Sequence, residues 1–335
     1  MNSNTYIIAE IAQAHEGSLG IAHSYIDVLA ETGVDAIKFQ THIAEAESSS
    51  QEQFRVNFSY EDLTRYDYWK RMEFTPEQWA GLKQHCEEKG MEFISSPFSI
   101  AAVELLEKLD VKRYKIGSGE LTNYLMLETI AKTKKPIILS SGMSDWNELD
   151  DTINFLKPYG NELSLLQCTT AYPTPPEKWG LTAIEEMKNR YQLPVGYSDH
   201  SADIFACLAA TTLGASILEF HVVFDHNMFG PDAKASLSIN QVKQLVKGVR
   251  AIEIGMQSNH LKNDASSFNT LKTMFGKTLA VNKNLPQGHI IAISDLESKK
   301  PGDQGIPAKE FQRVIGKQLK HDLKQWSFLG EEDLL

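Results

Sequence analysis

Two kinds of segment alternate along the chain from Tyr6 to Gly255. Short runs rich in β-branched residues are each followed by a longer stretch whose apolar residues recur with helical spacing. Eight such pairs can be counted, and this pattern is typical of an α/β protein with a (β/α)8 or TIM barrel. The strands are predicted at residues 7–11, 36–40, 92–95, 113–116, 136–140, 163–167, 194–197 and 217–220.

The chain is longer than one barrel requires. A barrel of about 250 residues leaves a remainder of the 335 residues, which predicts a second domain. We therefore expect a barrel at 1–256, a polar linker at 257–275 and a small domain at 276–335, with strands at 277–283 and 289–293. A domain this small has little hydrophobic core of its own, so we expect it to pack against a larger domain.

The bulk composition excludes several partners. The formal net charge is -11 and no basic stripe is present, so nucleic acid is not expected as a partner. No apolar run approaches the roughly 20 residues that span a bilayer, so no membrane is expected. The N-terminus does not read as a signal peptide, and the widely spaced Cys86, Cys168 and Cys207 are typical of reduced thiols, which predicts a cytoplasmic protein.

Residues 43–73 are too many for a plain loop between a strand and its helix. The segment is rich in acidic and aromatic residues, and long loops of compact domains are usually functional.

Polar residues stand at the ends of nearly all the predicted strands. In a barrel the active site is built at the carboxyl ends of the strands, so we expect these side chains to converge on one pocket. They are Glu10, Lys38, Gln40, Ser95, Ser96, Lys115, Ser118, Glu120, Ser140, Ser141, Thr169, Thr170, Tyr172, Ser198, Asp199, His200 and His221.

Two histidines end neighbouring strands. His200 follows the seventh predicted strand and His221 the eighth, which favours a divalent metal site completed by water and substrate. The alternative is a pair of hydrogen-bonding histidines. His15 and His42 are competing candidates near the first two strands.

Two lysines lie within or at the end of apolar strands. An unpaired ammonium is costly there, so Lys38 and Lys115 predict a bound phosphate or carboxylate, unless they pair with Glu10 or Glu120. Glu10 is open to two interpretations, a group that handles a water or a proton and a structural partner of Lys38. Serines at strand ends add donors to an anion or merely cap helices.

Taken together, these residues resemble those of the bacterial sialic acid synthases and their relatives that make legionaminic and pseudaminic acids. The resemblance covers essentially the whole chain. It rests on Glu10-Ile11, His15-Glu16-Gly17-Ser18-Leu19, Lys38-Phe39-Gln40-Thr41-His42, Ser96-Pro97-Phe98, Tyr114-Lys115-Ile116-Gly117-Ser118-Gly119-Glu120, Tyr172-Pro173-Thr174-Pro175, Ser198-Asp199-His200 and Gly230-Pro231-Asp232. Residues 276–335, with Lys299-Lys300-Pro301-Gly302, resemble the antifreeze-like (SAF) domain of these synthases.

The resemblance implies a metal-dependent condensation of phosphoenolpyruvate with an amino-sugar aldehyde. His200 and His221 would bind Mn²⁺ or Mg²⁺, and Glu10 and Glu120 would be the catalytic carboxylates. The positions that match the phosphoenolpyruvate site are Lys38, Ser96, Lys115, Ser118, Thr170 and Ser198. The positions that match the sugar site are Gln40, Phe98, Glu120, Tyr172, Asp232 and, from the other subunit of a domain-swapped homodimer, Lys300.

The sequence departs from the sialic acid synthase pattern at three positions. Lys300 stands where that pattern has arginine, Thr170 where it has asparagine, and Gln167 where it has histidine. The legionaminic branch also carries threonine at the position of Thr170, whereas Gln40-Thr41-His42 follows the sialic branch. N-acetylmannosamine is therefore the expected sugar, with a 2,4-diacetamido-6-deoxyhexose as the alternative.

Other functions are disfavoured by particular features. A synthase that condenses phosphoenolpyruvate with a sugar phosphate, such as deoxyoctulosonate phosphate synthase, does not explain the appended small domain. A catalytically silent barrel that binds sugar or acts as a scaffold would have lost Glu10, His200 or His221, and all three are present. A metal-dependent hydrolase would prefer more ligands than two histidines.

Overall fold

A computed structural model describes residues 4–54, 56, 58–257 and 262–335. The chain divides into two compact units, Met1–Gln257 and Ser258–Leu335. Within the described residues, no helix is both long enough and apolar enough to cross a membrane.

The first unit is a nearly closed barrel of eight parallel strands. The order across the sheet is β3-β2-β1-β8-β7-β6-β5-β4, and β3 and β4 at its two ends lie against each other. The α/β barrel fold is confirmed, and each strand lies within three residues of its predicted bounds. The strands are β1 Tyr6–Glu10, β2 Ala36–Thr41, β3 Glu92–Pro97, β4 Tyr114–Ile116, β5 Ile137–Ser140, β6 Leu163–Cys168, β7 Val195–Asp199 and β8 Ile217–Val223, and a short β9, Leu237–Ser238, pairs with β8.

The register of the strands brings the polar ends of the barrel together. Glu10 at the end of β1 is opposite Lys38 of β2 on one side and His221 of β8 on the other. Cys168 of β6 is opposite Ser198 of β7. Because the strands are parallel, their carboxyl ends meet on one face of the barrel, where a site is expected.

Helices surround the strands and bury their apolar faces against them. Local signals set several boundaries: Thr75 caps α4 in a capping box with Pro76 at the first helical position, and Asp145 does the same for α7 without proline. The helices that follow the eight strands are α1 Leu19–Ala30, α4 Pro76–Glu88, α5 Ile100–Lys108, α6 Tyr124–Lys132, α7 Trp146–Leu156, α8 Ala183–Tyr191, α9 Phe205–Thr212 and α10 Ile239–Gln257.

The long segment after β2 carries two further helices, α2 Ala44–Glu47 and α3 Arg65–Met72. It has its own small core, in which Tyr68, Trp69 and Met72 are buried together with Ala44. Arg71 ties α3 to the β1–α1 connection, because its guanidinium donates to Glu16 at 3.1 Å and to Asp62 at 2.8 Å. The described residues of this segment therefore pack into a structured part of the first unit.

The second unit is built on a two-stranded antiparallel sheet. Its elements are α11 Asn269–Phe275, β10 Thr278–Val281, β11 Leu296–Lys299 and α12 Phe311–Val314, around a core that includes Leu279, Val281 and Leu319. β10 lies where it was predicted, but its partner is β11; the predicted strand at 289–293 makes an isolated bridge between Ile290 and Gln318. Asp295 explains the shift, since its carboxylate caps the turn at Ile293–Asp295 directly before β11. Helix α11 lies within the stretch predicted as a linker.

Candidate active site

A cavity of about 410 Å³ opens at the carboxyl ends of the barrel strands. Its size is in the range of small-molecule sites. Sixteen of the candidate site residues singled out from the sequence line it together: Glu10, Lys38, Gln40, His42, Ser96, Phe98, Lys115, Ser118, Glu120, Ser140, Thr170, Tyr172, Ser198, His200, His221 and Asp232. Lys300 belongs to the second unit, where its ammonium lies 5.0 Å from the centre of the Phe275 ring.

Four buried charges form the floor of the cavity. Lys38 Nζ lies 2.7 Å from Glu10 Oε2 and 3.8 Å from Glu219 Oε1. Lys115 Nζ lies 3.3 Å from the same Glu219 oxygen and donates to the Ile116 carbonyl at 3.3 Å. Each of the four residues is at most 4% exposed. Lys38 therefore does pair with Glu10, and the partner of Lys115 is Glu219, not Glu120.

The pKa values of the charged groups at the floor are shifted in different directions. Burial raises the pKa of Glu10 to about 7, although Lys38 acts against it. Burial also lowers the pKa of Lys115, and Glu219 offsets this only in part. The pKa of Glu219 lies below its usual value, because Lys115 and Lys38 outweigh the effect of burial. The floor thus holds two lysines and two carboxylates, and one of the carboxylates, Glu10, can take up a proton near neutral pH. Such a floor can accept a further anion.

Glu219 was missed from the sequence. It stands in the middle of β8, in a run that otherwise reads as a buried apolar strand. The signal that could have found it is its spacing from His221, since residues two apart in a strand share one face. A carboxylate on the same face as a proposed metal ligand belongs to the site.

Hydroxyl groups lie beside the two lysines. Lys38 Nζ donates to Ser96 Oγ at 3.2 Å, and Ser198 Oγ donates to Glu219 at 3.3 Å. Among the residues that the structure describes, the buried Ser140 Oγ has no hydrogen-bond partner. Since Ser140 lines the same cavity as the two lysines, its orphaned hydroxyl is a donor available to a bound anion.

Gly142 makes room for this group of hydroxyls. A Cβ at this position would lie 2.5 Å from Thr170 Oγ1, 2.7 Å from Ser118 Oγ and 3.0 Å from Cys168 Sγ. The Gly142 N–H also donates to Ser118 Oγ at 2.9 Å. The glycine therefore holds Ser118 and Thr170 close together in a way that no larger residue allows.

The rings of His200 and His221 lie 5.2 Å apart at the same floor. Nδ1 of His200 is 3.1 Å from the Thr169 carbonyl, a backbone contact that fixes the ring and leaves Nε2 as the nitrogen available to a metal. Nδ1 of His221 is 3.9 Å from Asp232 Oδ2, and burial followed by the charge of His200 lowers the pKa of His221 well below its usual value. A neutral imidazole is the form that binds a metal, and His221 is held in that form. Burial lowers the pKa of His200, but Cys168 outweighs it and the pKa is raised, so His200 would lose its proton when a metal binds. The two rings then fit a divalent ion whose other positions are filled by water or substrate.

The remaining histidine candidates have other environments. His15 is 1% exposed, accepts the Gly17 N–H through Nδ1 and packs on Phe74 at 4.8 Å. His42 lines the cavity but is clasped between two aromatic rings. In the described part of the chain no three His, Cys, Asp or Glu residues are grouped as a full metal-binding set.

The rim of the cavity comes largely from the segment after β2, which was predicted to be functional. Among the described residues, the carboxylates of the rim are Glu47, Glu52, Glu120 and Asp232. Its described cation is Arg65, which pairs with Glu52 at 3.0 Å and lies over the Trp69 ring. The apolar part of the rim is formed by Phe54, Val56, Phe58, Phe98 and Met143. The rim therefore carries an excess of negative charge beside apolar surface.

Known proteins resemble the chain over almost its whole length. The N,N'-diacetyllegionaminic acid synthase of Campylobacter jejuni is 33% identical over 98% of this chain and 99% of its own. The human N-acetylneuraminate-9-phosphate synthase is 32% identical over 98% of this chain and 92% of its own. The crystal structure of N-acetylneuraminic acid synthetase from Leptospira borgpetersenii, in complex with citrate, superimposes with a TM-score of 0.71 at 29% identity, covering 81% of this chain and 91% of that one.

The family profile agrees with these similarities. The profile described as NeuB family matches residues 25–260, which is more than half of the chain and includes seven of the eight barrel strands. The chain therefore belongs to the NeuB family, that of the sialic-acid-type synthases.

Proposed function

We propose that this enzyme condenses phosphoenolpyruvate with N-acetylmannosamine, or a related 2-acetamido sugar, to give a nonulosonic acid such as N-acetylneuraminic acid, and phosphate. The observation that carries the proposal is the cavity floor, where two buried lysines, several hydroxyl groups and two neighbouring histidines meet. Charged donors held rigidly in a buried site are suited to a small polyanion.

Phosphoenolpyruvate is a small molecule with a phosphate and a carboxylate. Lys38 and Lys115 would neutralise these groups, and Ser96, Ser118, Thr170 and Ser198 would donate hydrogen bonds to their oxygens. This role is supported by the burial of both ammonium groups and by the unpartnered hydroxyl of Ser140 in the same cavity. The cavity also offers Gln40, Phe98, Glu120, Tyr172 and Asp232 to the sugar.

His200 and His221 would hold Mn²⁺ or Mg²⁺. When bound, the ion supplies Lewis acidity that polarises the aldehyde oxygen of the open-chain sugar. The two histidines sit on adjacent strands of a rigid barrel, so they would hold the aldehyde in a fixed direction relative to Lys38 and Lys115.

The chemistry forms one carbon–carbon bond. C3 of phosphoenolpyruvate attacks the aldehyde carbon, whose oxygen becomes a hydroxyl. Water adds to C2, and the C2–oxygen bond to phosphate then breaks, so that phosphate leaves with that oxygen and C2 becomes a keto group. Glu10 would accept the proton of the attacking water, a role supported by its full burial and by a pKa near neutrality. Glu120 would orient the sugar at the rim.

The charge of the rim supports an acceptor without a phosphate group. Among the described residues of the rim, four carboxylates outnumber one arginine, Arg65, which is itself paired with Glu52, and this excess would repel a sugar phosphate. The apolar rim residues Phe54, Val56 and Phe58 favour the alternative acceptor, a 2,4-diacetamido-6-deoxyhexose, whose methyl groups would lie against them. N-acetylmannosamine remains the first choice, and the comparison of the two sugars is part of the test.

We further propose that residues 276–335 are an antifreeze-like domain, joined by a linker to the barrel, and that the enzyme is a domain-swapped homodimer of the cytoplasm. Lys300 would then reach the sugar in the partner's site. Mixing Lys300→Ala subunits with His221→Ala subunits tests this arrangement, because one intact site per mixed dimer restores activity only if the two residues act in trans.

The direct test is phosphate release from phosphoenolpyruvate with a panel of sugars, with and without Mn²⁺. We expect release with N-acetylmannosamine or the diacetamido sugar, in the presence of metal only, and little with N-acetylmannosamine 6-phosphate. Release with arabinose 5-phosphate, but not with unphosphorylated amino sugars, would overturn the assignment.

A further inference from the structure

His42 is the first residue after β2 and is held between two aromatic rings. Its ring stacks on Trp69 at 3.9 Å with an interplanar angle of 16°, and on Phe98 at 4.4 Å with an angle of 15°. The residue is 4% exposed. An imidazole covered on both faces can form hydrogen bonds only along its edge, in the plane that the two rings define.

Both ring nitrogens of His42 have partners in that plane. Nδ1 lies 2.6 Å from Glu47 Oε1, and the side chain of Glu47 is itself only 8% exposed. Nε2 lies 2.9 Å from Gln13 Nε2 and 3.2 Å from Gln40 Oε1. The Gln13 amide nitrogen also donates to Gln40 Oε1.

The chain of contacts ends at the floor of the cavity. Gln40 Nε2 donates to Glu10 Oε1 at 2.7 Å, while the other oxygen of Glu10 faces Lys38. A continuous chain of five side chains therefore runs from the segment after β2 to Glu10, the proposed proton acceptor. In order they are Glu47, His42, Gln13, Gln40 and Glu10.

An ionised Glu47 sets one consistent direction for the bonds that run from His42 through Gln13 and Gln40 to Glu10. A carboxylate can only accept, so we assign the proton of a neutral His42 to Nδ1, which leaves Nε2 as an acceptor for the Gln13 amide. Gln13 then gives its second N–H to the oxygen of Gln40. The Gln40 amide is thereby oriented with its nitrogen toward Glu10, and the reverse orientation would set two acceptors against each other.

We propose that His42 and Glu47 are positioning residues for Glu10, which act by fixing the orientation of the Gln40 amide. The role rests on the proposed function, because Glu10 is the group that receives the proton of the attacking water. This proposal gives a role to Glu47 and to the rings of Trp69 and Phe98 that enclose His42. None of these residues needs to touch phosphoenolpyruvate. The proposal also ties the order of helix α2, where Glu47 lies, to the geometry of the floor.

The kinetic test uses variants that keep the shape and remove the bonds. His42→Phe preserves the stack between Trp69 and Phe98 and removes both edge contacts. Glu47→Leu removes the acceptor, whereas Glu47→Gln keeps an oxygen that accepts from Nδ1. Glu45→Leu, on an exposed position of the same helix, is the matched control for loss of a carboxylate.

We expect His42→Phe and Glu47→Leu to lower kcat by about 10- to 100-fold with KM for phosphoenolpyruvate within about twofold, since misplacement of a reacting group affects the chemical step. Glu47→Gln should recover most of kcat, and Glu45→Leu should equal the parent. A KM that rises in step with the fall in kcat, or a Glu47→Gln variant as slow as Glu47→Leu, would overturn the proposal. If His42→Phe does not fold, the pair of Glu47 variants decides.

A second measurement does not depend on catalysis. In ¹⁵N-histidine NMR spectra of the full chain, the signal that His42→Phe removes should show the tautomer protonated on Nδ1, and Glu47→Leu should abolish that preference. An Nε2-protonated His42 in the parent protein would contradict the proposal even if the enzyme acted on other substrates. A parent protein that releases no phosphate with any sugar, but shows the Nδ1 tautomer, would contradict the proposed function alone.

Discussion

Glu10 in the barrel and Asp295 in the small unit are both buried carboxylates, yet their pKa values move in opposite directions. Burial raises the pKa of Glu10 to about 7. Asp295 is 2% exposed, but Lys283 and His289, each at 2.7 Å, and the Ala292 N–H at 2.9 Å outweigh its burial and hold its pKa far below the usual range. The same desolvation penalty thus leads to different outcomes.

The difference lies in what surrounds each carboxylate. Asp295 is satisfied by the Lys283 ammonium, the His289 ring and the backbone amide of Ala292 at the turn before β11, so it stabilises the fold. Glu10 faces a cavity and shares Lys38 with Glu219, so part of its solvation is left for a ligand to supply. A buried charge whose partners are shared with a cavity marks a functional site, whereas a fully partnered one marks structure.

Removal of one cation in each region should separate the two roles most strongly. Lys115→Met takes away a proposed ligand of the phosphoenolpyruvate anion, and we expect kcat/KM for phosphoenolpyruvate to fall by about 10³-fold or more. Lys283→Met, its counterpart beside Asp295, should lower the unfolding midpoint slightly and leave kcat/KM within about twofold, because half of the Lys283 side chain is exposed. Steady-state kinetics and thermal unfolding of both variants check this pair. Equal losses of kcat/KM in the two variants would show that Lys115 and Lys283 do not differ in role.

Replacement of Glu10 by glutamine should lower kcat by about 10²- to 10³-fold, because the amide cannot accept the proton of water. In the parent enzyme the rate should rise with pH as Glu10 loses its proton, with a midpoint near its pKa of about 7. Glu10→Gln should remove that acidic limb. A variant that keeps the limb would show that another group is the base.

Gly142→Ala should weaken the grip on phosphoenolpyruvate, because a Cβ there would clash with Thr170 Oγ1 at 2.5 Å and Ser118 Oγ at 2.7 Å. We expect KM for phosphoenolpyruvate to rise about 10- to 100-fold. Gly81→Ala in α4, where no atom lies within 4 Å of the added Cβ, is the control and should stabilise the chain by up to about 1 kcal/mol. An unchanged KM in Gly142→Ala would show that the hydroxyl groups of Ser118 and Thr170 do not hold phosphoenolpyruvate.

Asp295→Asn should have the smallest effect on catalysis and a measurable effect on stability. Since its pKa is lowered on folding, the carboxylate stabilises the folded state fully above the unfolded value of about 4. This contribution decreases as the pH falls below that value, and it is lost only as the pH passes through the much lower pKa of the folded state. We expect the variant to lose about 1–3 kcal/mol of unfolding free energy at pH 7 and to differ less from the parent at pH 3. Chemical denaturation at both pH values checks the sign.

Much of the barrel and its site follows from the sequence, because the strand period and the position of polar residues at strand ends are local signals. Lys38 and His221 could be placed on either side of Glu10 from strand order alone, and the register shows them there. Glu219 could not be paired with Lys115 in this way, since that contact joins strands distant in sequence. Nor could the clash at Gly142 be foreseen, because it depends on the approach of three connections.

The elements of the second unit were harder to predict from the sequence than the barrel, for a physical reason. Its strands are short, and β11 is set by the cap that Asp295 provides rather than by an apolar pattern. Helix α11 lacked a recognisable signal as well, since no side chain caps its start and none of its residues is buried. Local periodicity predicts elements that bury one face, and these elements do not.

The central claim is that the cavity joins C3 of phosphoenolpyruvate to the aldehyde carbon of an amino sugar. It is tested most directly by NMR of a reaction that contains phosphoenolpyruvate labelled with ¹³C at C3, N-acetylmannosamine labelled with ¹³C at C1, and Mn²⁺. We predict a nine-carbon keto acid in which the two labelled carbons are directly coupled, formed in step with phosphate. Phosphate release with the C3 label recovered in pyruvate and the sugar unchanged would contradict the account.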